Sequence, residues 1–151
     1  MHSCSKHSKC VESAIKKAEQ VCEERHQKLT KVRKKVLELI WKSHKPSKAY
    51  DVLNKIDKRI ASIKPPTVYR ALDFLMENGL VHKLSSLNAY IGCSHPLKHK
   101  HCYFLLCVKC KEIQECCSEE LSKFIEYTSL KNKFDMKNVT VEIEGICNEC
   151  G

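Results

Sequence analysis

Residues 93–117 read C-S-H-P-L-K-H-K-H-C-Y-F-L-L-C-V-K-C-K-E-I-Q-E-C-C and hold six of the eleven cysteines and three of the eight histidines of the chain. Within them stands a C-x-x-C pair, Cys107 and Cys110. A second pair, Cys147 and Cys150, follows at 147–150. Each pair sets two sulfurs on one tight turn, and two such pairs complete a tetrahedron of thiolates around Zn²⁺. Four thiolates leave no open coordination position, so the site they form is structural. It would clamp a C-terminal strand to the hairpin predicted over 102–116, and a small domain gains stability from such a clamp.

The other ligand-type residues exceed the needs of one site. His82, Cys93, His99 or His101, and Glu115 make a second, looser set. His82 and Cys93 flank a predicted hairpin, while His101 and Glu115 fall on facing strands of the next domain. A metal held by all four would bridge two domains. Mixed sulfur, nitrogen and oxygen ligation that includes a thiolate suits Zn²⁺ better than Fe²⁺ or Mg²⁺. Spacing alone leaves the plainer alternative open: His82 a surface histidine, Cys93 a small buried hydrophobe. Cys102, expected at the surface, and the adjacent Cys116 and Cys117 leave room for a redox role and so for an iron or peroxide sensor. No H-E-x-x-H, P-loop or paired nucleophile is present, so the chain does not read as an enzyme.

These ligands must be positioned by regular elements. Residues 1–10 read as a flexible arm, with Cys4, His7 and Cys10 as at most a weak metal set. Val11, Ala14, Ile15, Ala18, Val21 and Cys22 recur at helical spacing over 11–27. Thr30 caps a second helix that ends near His44-Lys45-Pro46, and Ser47 is expected to cap a short third one to Ile56. Lys64-Pro65-Pro66-Thr67 opens a fourth helix that Asn78-Gly79 ends. Two β-like pieces, 80–84 and 89–93, follow. Helices closed by a β-hairpin make a winged helix-turn-helix pattern over 11–92. Residues 93–151 read as a small α+β domain: strands at 102–108 and 112–116, a helix capped near Ser118, and a half-buried strand from Val139. The edges of that domain invite pairing with a second copy.

Charge divides along the same line. Residues 1–84 carry 19 Lys/Arg against 9 Asp/Glu, and residues 85–151 carry 8 against 9. A basic half beside a near-neutral one points to a polyanion as partner of the first. At the start of the fourth helix, backbone N–H groups and Thr67 are expected to hold phosphate. Arg70 has the fork for guanine, and Tyr69 reaches a phosphate or a thymine methyl. Lys64 opens this segment and Tyr50 lies one helix earlier. The basic run Lys31, Arg33, Lys34, Lys35 on the second helix reads either as a DNA face or as an ordinary solvated one. No apolar run approaches the ~18 residues of a membrane span, no signal peptide is recognisable, and the cysteine pattern suits a reduced, cytoplasmic metalloprotein.

K-P-P-T-V-Y-R-A-L-D-F-L (64–75), G-L-V-H-K (79–83), N-A-Y-I-G-C (88–93), F-L-L-C-V-K-C (104–110) and G-I-C-N-E-C (145–150) together resemble the ferric-uptake-regulator superfamily, in its zinc-uptake branch. The resemblance covers about residues 12–150. It implies a zinc-responsive repressor of zinc-uptake genes that binds a palindromic operator as a homodimer. It further implies structural zinc at Cys107, Cys110, Cys147 and Cys150, and regulatory zinc at His82, Cys93, one of the 99/101 histidines and Glu115, hence two Zn²⁺ per chain. His101 is the preferred histidine of the two. Tyr50 and Arg70 match DNA-contacting positions. A cysteine at position 93 is the zinc-sensing choice, where iron-sensing relatives tend to carry a carboxylate.

Overall fold

A computed structural model of the chain describes residues 7–56, 63–97, 101–137 and 139–151. The chain divides into two compact units, Met1–Leu97 and Lys98–Gly151. The expected boundary lay five residues earlier, after residue 92.

Among the described residues the first unit is four helices and a hairpin. Helix α1 spans His7–Glu24, so helix replaces the last residues of the expected arm and ends short of residue 27. Helix α2 spans Lys31–Trp41, and the Thr30 hydroxyl accepts the Arg33 N–H at 3.4 Å as the expected cap. Helix α3 spans Ala49–Lys55. Ser47 does not cap it. Its backbone instead makes an antiparallel bridge with Tyr90, N–H to O at 2.8 and 2.9 Å, which ties the turn before α3 to the hairpin. Ladder bonds take up the backbone that a capping serine would have left free.

Helix α4 spans Pro65–Glu77 with prolines at its first two positions. It ends in a Schellman motif: Gly79 at φ +67° donates to Met76 O, and Leu80 N–H reaches back to Leu75 O, both at 2.9 Å. Asn78, fully buried, donates from Nδ2 to Phe74 O at 2.8 Å, and its Oδ1 accepts Arg25 Nη1 at 3.1 Å. Arg25 also donates to Glu77 O, so a cation from the turn after α1 sits at the negative end of α4. Strands β1 (Val81–Leu84) and β2 (Ala89–Gly92) pair antiparallel, Val81 opposite Gly92.

Val36, Leu37 and Ile40 of α2, Val52 of α3, and Val68, Leu72 and Leu75 of α4 form the centre of the core, with Ala18 and Val21 of α1 on one side and Val81 and Tyr90 of the hairpin on the other. Each large aliphatic buried here stabilises the unit by about 1.5–3 kcal/mol. Trp41 packs against this cluster and lies flat on Gly92. A Cβ built at position 92 would stand 2.3 Å from the indole Nε1.

Among its described residues the second unit is a three-stranded sheet in the order β4-β3-β5 with one helix. Strand β3 (Cys102–Cys107) runs antiparallel to β4 (Ile113–Cys117) and parallel to β5 (Val141–Gly145). Helix α5 (Glu119–Asn132) makes the crossover that a parallel pair requires. Ser118 caps it by accepting the Leu121 N–H at 3.2 Å, and Glu119 and Glu120 occupy its first turn.

The buried hydrophobic residues of this unit are Cys102, Phe104, Leu106, Cys107 and Ile125. That is a small core, of the kind that metals or association commonly reinforce. Much apolar surface stays uncovered: Phe124, Tyr127 and Leu130 of α5, Phe134, and Ile143 with its ladder partner Leu105. The strand expected to be half-buried begins at Val141 rather than Val139, and its Ile143 is exposed.

Gly92→Ala is expected to overpack the indole contact and lower the stability of the first unit by about 1–3 kcal/mol. Urea unfolding followed by Trp41 fluorescence measures it, and an unchanged midpoint would remove Trp41 from its assigned place.

Candidate metal centre and nucleic-acid interface

The two cysteine turns meet at one end of the second sheet. Register brings them there. Cys107 is the last residue of β3 and pairs with Gly145, the last of β5, so each strand runs straight into its own turn. Val108 N–H donates to Gly145 O at 2.8 Å and continues the pairing one step further. On the first turn Lys111 N–H donates to Cys107 O at 3.0 Å, and Lys111 takes φ +62° to close it. On the second, the Cys150 and Gly151 N–H groups both donate to Cys147 O at 3.0 Å. Lys109 Nζ spans the turns to Cys150 O at 2.8 Å.

The sulfurs of Cys107, Cys110, Cys147 and Cys150 all lie within 4.8 Å of one another. Cys110 and Cys147 are 3.7 Å apart. Four thiolates about 2.3 Å from a tetrahedral zinc lie about 3.8 Å from each other, so the donor set fits that ion in both chemistry and size. Backbone N–H groups of Cys110 and Cys147 point at the Cys107 sulfur and lower its pKa to about 6. It is therefore a thiolate at neutral pH. Hydrogen bonds with the Cys147 and Cys110 sulfurs push Cys150 up to about 12. Cys107 is thus the sulfur that ionises most readily and Cys150 the one that resists it; metal binding must take the remaining protons off.

The second predicted set draws on both units. His82 is half-buried on β1, and Cys93 is buried just past β2, where its N–H donates to Leu80 O at 2.9 Å. The hairpin brings these two together, a ring nitrogen of His82 within 4.8 Å of the Cys93 sulfur. In the second unit, Glu115 is half-buried on β4 opposite Phe104, and His101 is half-buried just before β3. His99 and Cys4 lie outside the described residues.

The α4 face is arranged as its periodicity demands, with one departure. Val68, Ala71, Leu72, Phe74 and Leu75 are buried, which turns Tyr69, Arg70 and Asp73 outward together. Tyr69 is 51% exposed, Tyr50 on α3 is 69% exposed, Lys64 is exposed and Thr67 is half-buried. The departure concerns the helix N-terminus. Pro65 and Pro66 have no N–H to offer, and Thr67 N–H turns back to Lys64 O at 2.9 Å. The backbone there is a weak anion cradle, short of the hold on phosphate expected of it.

The basic run on α2 is mostly engaged within the chain. Arg33 lies 3.5 Å over the Phe74 ring and donates to Lys28 O, Lys34 pairs with Glu19 at 3.0 Å, and Lys35 pairs with Glu38 at 3.2 Å. Of the four, Lys31 alone is fully exposed.

Residues 24–144 match the profile of the Ferric uptake regulator family. The chain belongs to that family. It is 34% identical over 143 residues to the Zinc uptake regulation protein of Escherichia coli (strain K12), across 93% of this chain and 82% of that protein. Among solved structures it is similar to a zinc uptake regulator complexed with zinc and DNA, at 33% identity and TM-score 0.80, covering 93% of this chain and 94% of that one. It is similar also to holo XcZur, at 41% identity and TM-score 0.79, covering 91% and 96%.

One close pair escaped the reading of the sequence. Cys102 is buried, not at the surface, and its sulfur lies 3.1 Å from that of Cys117. Hairpin register carries the signal: once 109–111 is the turn, residues whose numbers sum to that of Leu106 and Ile113 stand opposite each other.

Zinc loading of the four-cysteine cluster is expected to release protons and to strengthen as pH rises. Above about pH 6 Cys107 is already ionised. Below it Cys107 adds its own proton to the competition, so the pH dependence steepens there. Competition with a chromophoric chelator from about pH 5 to about pH 8 measures this, and a flat profile contradicts the charge distribution described.

Proposed function

We propose that this chain is a zinc-responsive transcriptional repressor that binds operator DNA as a dimer when zinc-loaded and represses zinc-uptake genes. The observation that carries this reading is the likeness, over nearly the whole chain, to a zinc uptake regulator complexed with zinc and DNA. The exposed α4 face and the four-thiol cluster give that likeness its chemistry.

Two zinc sites with different duties follow. Cys107, Cys110, Cys147 and Cys150 hold the structural ion, in keeping with their sulfur spacing. His82, Cys93, His101 and Glu115 hold the regulatory one. Zinc supplies a redox-inert cross-link at each. The regulatory ligands come from both units, so metal affinity and presentation of α4 to DNA are thermodynamically linked. A coupling of ~1–3 kcal/mol in one direction appears with equal size in the other.

On DNA, Arg70 reads a base edge in the major groove, while Tyr50, Lys64, Thr67 and Tyr69 hold the backbone or methyl groups. Because α4 opens on two prolines, these side chains carry the phosphate contacts that backbone amides supply elsewhere. The homodimer forms through the second unit. Its support is the apolar surface of Phe124, Tyr127, Leu130 and Ile143, together with β5, a sheet-edge strand open to further pairing.

A mobility shift on a candidate palindrome under buffered free zinc tests the reading. The wild type is expected to bind only when zinc is replete, and Cys93→Ser to lose the response yet remain a folded dimer. Arg70→Ala should weaken specific binding by about 1–3 kcal/mol with the zinc content unchanged. DNA affinity indifferent to zinc would sink the proposal. Separately, Leu130→Glu is expected to shift the dimer toward monomer in sedimentation; an unaltered dimer would place the interface elsewhere.

A further inference from the structure

Strands β3 and β4 end on facing cysteines. Cys102 is the first residue of β3, Cys117 the last of β4, and the two are direct ladder partners. Cys107 N–H bonds to Glu112 O at 3.0 Å at the turn end of the hairpin. Hydrogen-bonded and non-hydrogen-bonded pairs alternate from there, which makes Cys102 and Cys117 a non-hydrogen-bonded pair. Such pairs bring their Cα atoms to about 4.5 Å, inside the range of about 4.4–6.8 Å that a disulfide spans.

The sulfurs are 3.1 Å apart. Two thiolates on one zinc lie about 3.8 Å apart, and the Cys110 and Cys147 sulfurs stand at 3.7 Å. The Cys102–Cys117 contact is thus too short for co-ligands of a metal. It must close by only about 1 Å to reach the S–S bond length of about 2.05 Å.

We propose that Cys102 and Cys117 form a reversible disulfide, an oxidation site distinct from the four-cysteine cluster. Cys117 is exposed and Cys102 is buried. One thiol meets the oxidant and the other waits behind it. With hydrogen peroxide as oxidant, the Cys117 thiolate attacks one oxygen. An S–O bond forms, the O–O bond breaks and hydroxide leaves to be protonated to water. The Cys102 sulfur then attacks the Cys117 sulfur. The S–S bond forms, the S–O bond breaks, and the departing hydroxide takes the Cys102 proton as a second water. Two electrons pass from the sulfur pair to the peroxide, and a dithiol reductant returns them. Cys116 is not the partner: neighbouring strand residues point to opposite faces, and Cys116 hydrogen-bonds with Tyr103. The bond would enclose residues 102–117. A Glu115 carboxylate oxygen lies within 4.8 Å of both sulfurs, so oxidation replaces two thiols beside that carboxylate with a group that donates no hydrogen bond.

The test treats the zinc-loaded full chain with hydrogen peroxide, blocks remaining thiols, and maps the digest by mass. A Cys102–Cys117 cross-linked peptide is expected, short of two hydrogen atoms, reversed by dithiothreitol, with the zinc content unchanged. In Cys102→Ser, Cys117 is expected to stop at the sulfenic acid and be trapped by dimedone; in Cys117→Ser, Cys102 stays a thiol. Three outcomes would overturn the proposal: cross-links confined to Cys107, Cys110, Cys147 and Cys150 with zinc release; no Cys102–Cys117 link at all in the wild type; or a zinc equivalent lost from both serine variants before any oxidant is added, which would make the pair a metal site.

Discussion

The parallel pairing of β3 with β5 is the constraint on which the second unit depends. Parallel neighbours cannot be joined by a tight turn, so the chain must leave β3, return through β4, cross over by α5 and come back alongside. The outcome is that Cys107 and Gly145 stand side by side at the ends of their strands. Two turns that are distant in sequence then hang from the same sheet end, with their sulfurs at zinc spacing. Slipping β5 by one residue would flip its side chains and carry the second turn out of range. The metal centre is thus a property of strand register before it is a property of cysteines.

The first unit solves a different problem, that of presenting one helix firmly. Its core is broad, and α4 sits at the centre of it through Val68, Leu72 and Leu75. The back end of α4 is pinned twice, by the Schellman turn at Gly79 and by Arg25 reaching from the turn after α1 to Glu77 O and Asn78. Its front end is fixed by two prolines. Proline sets the direction of the first turn but removes two amide donors. The helix gains a rigid start and gives up the anion cradle that other helices carry there.

Much of this was legible in the sequence. Helical periodicity in α2 and α4, the Thr30 and Ser118 caps, the Asn78-Gly79 stop and the paired C-x-x-C turns are local signals, and each produced the element it announced. What escaped was non-local. Ser47 looked like a cap because capping is read from neighbours, yet its backbone pairs with Tyr90, more than forty residues on. Arg33 and Lys34 looked free because their partners Glu19, Lys28 and Phe74 lie on other elements or in the loop before α2. Cys102 looked exposed because strand facing cannot be read until register is known. The exposed Ile143 belongs with these: alternation shows that one face of a strand is apolar, not what covers it.

Cys107 and Cys147 are forty residues apart in sequence, and the Cys147 N–H nonetheless points at the Cys107 sulfur at 3.4 Å. In polymer terms, an ion bound at that junction closes a long loop. The entropic cost of closing it grows only with the logarithm of loop length; strand pairing meets that cost in part, and an ion held there would add a contribution present only while it is bound. A disulfide placed there would fix the stability of the second unit once, at folding. A metal held there would make that stability a running function of supply, rising by about 2.7 kcal/mol when the free ion stands at a hundred times its dissociation constant. With zinc as that ion, the lifetime of the folded unit against proteolysis would itself be a slow gauge of zinc, working over protein turnover rather than over binding equilibrium.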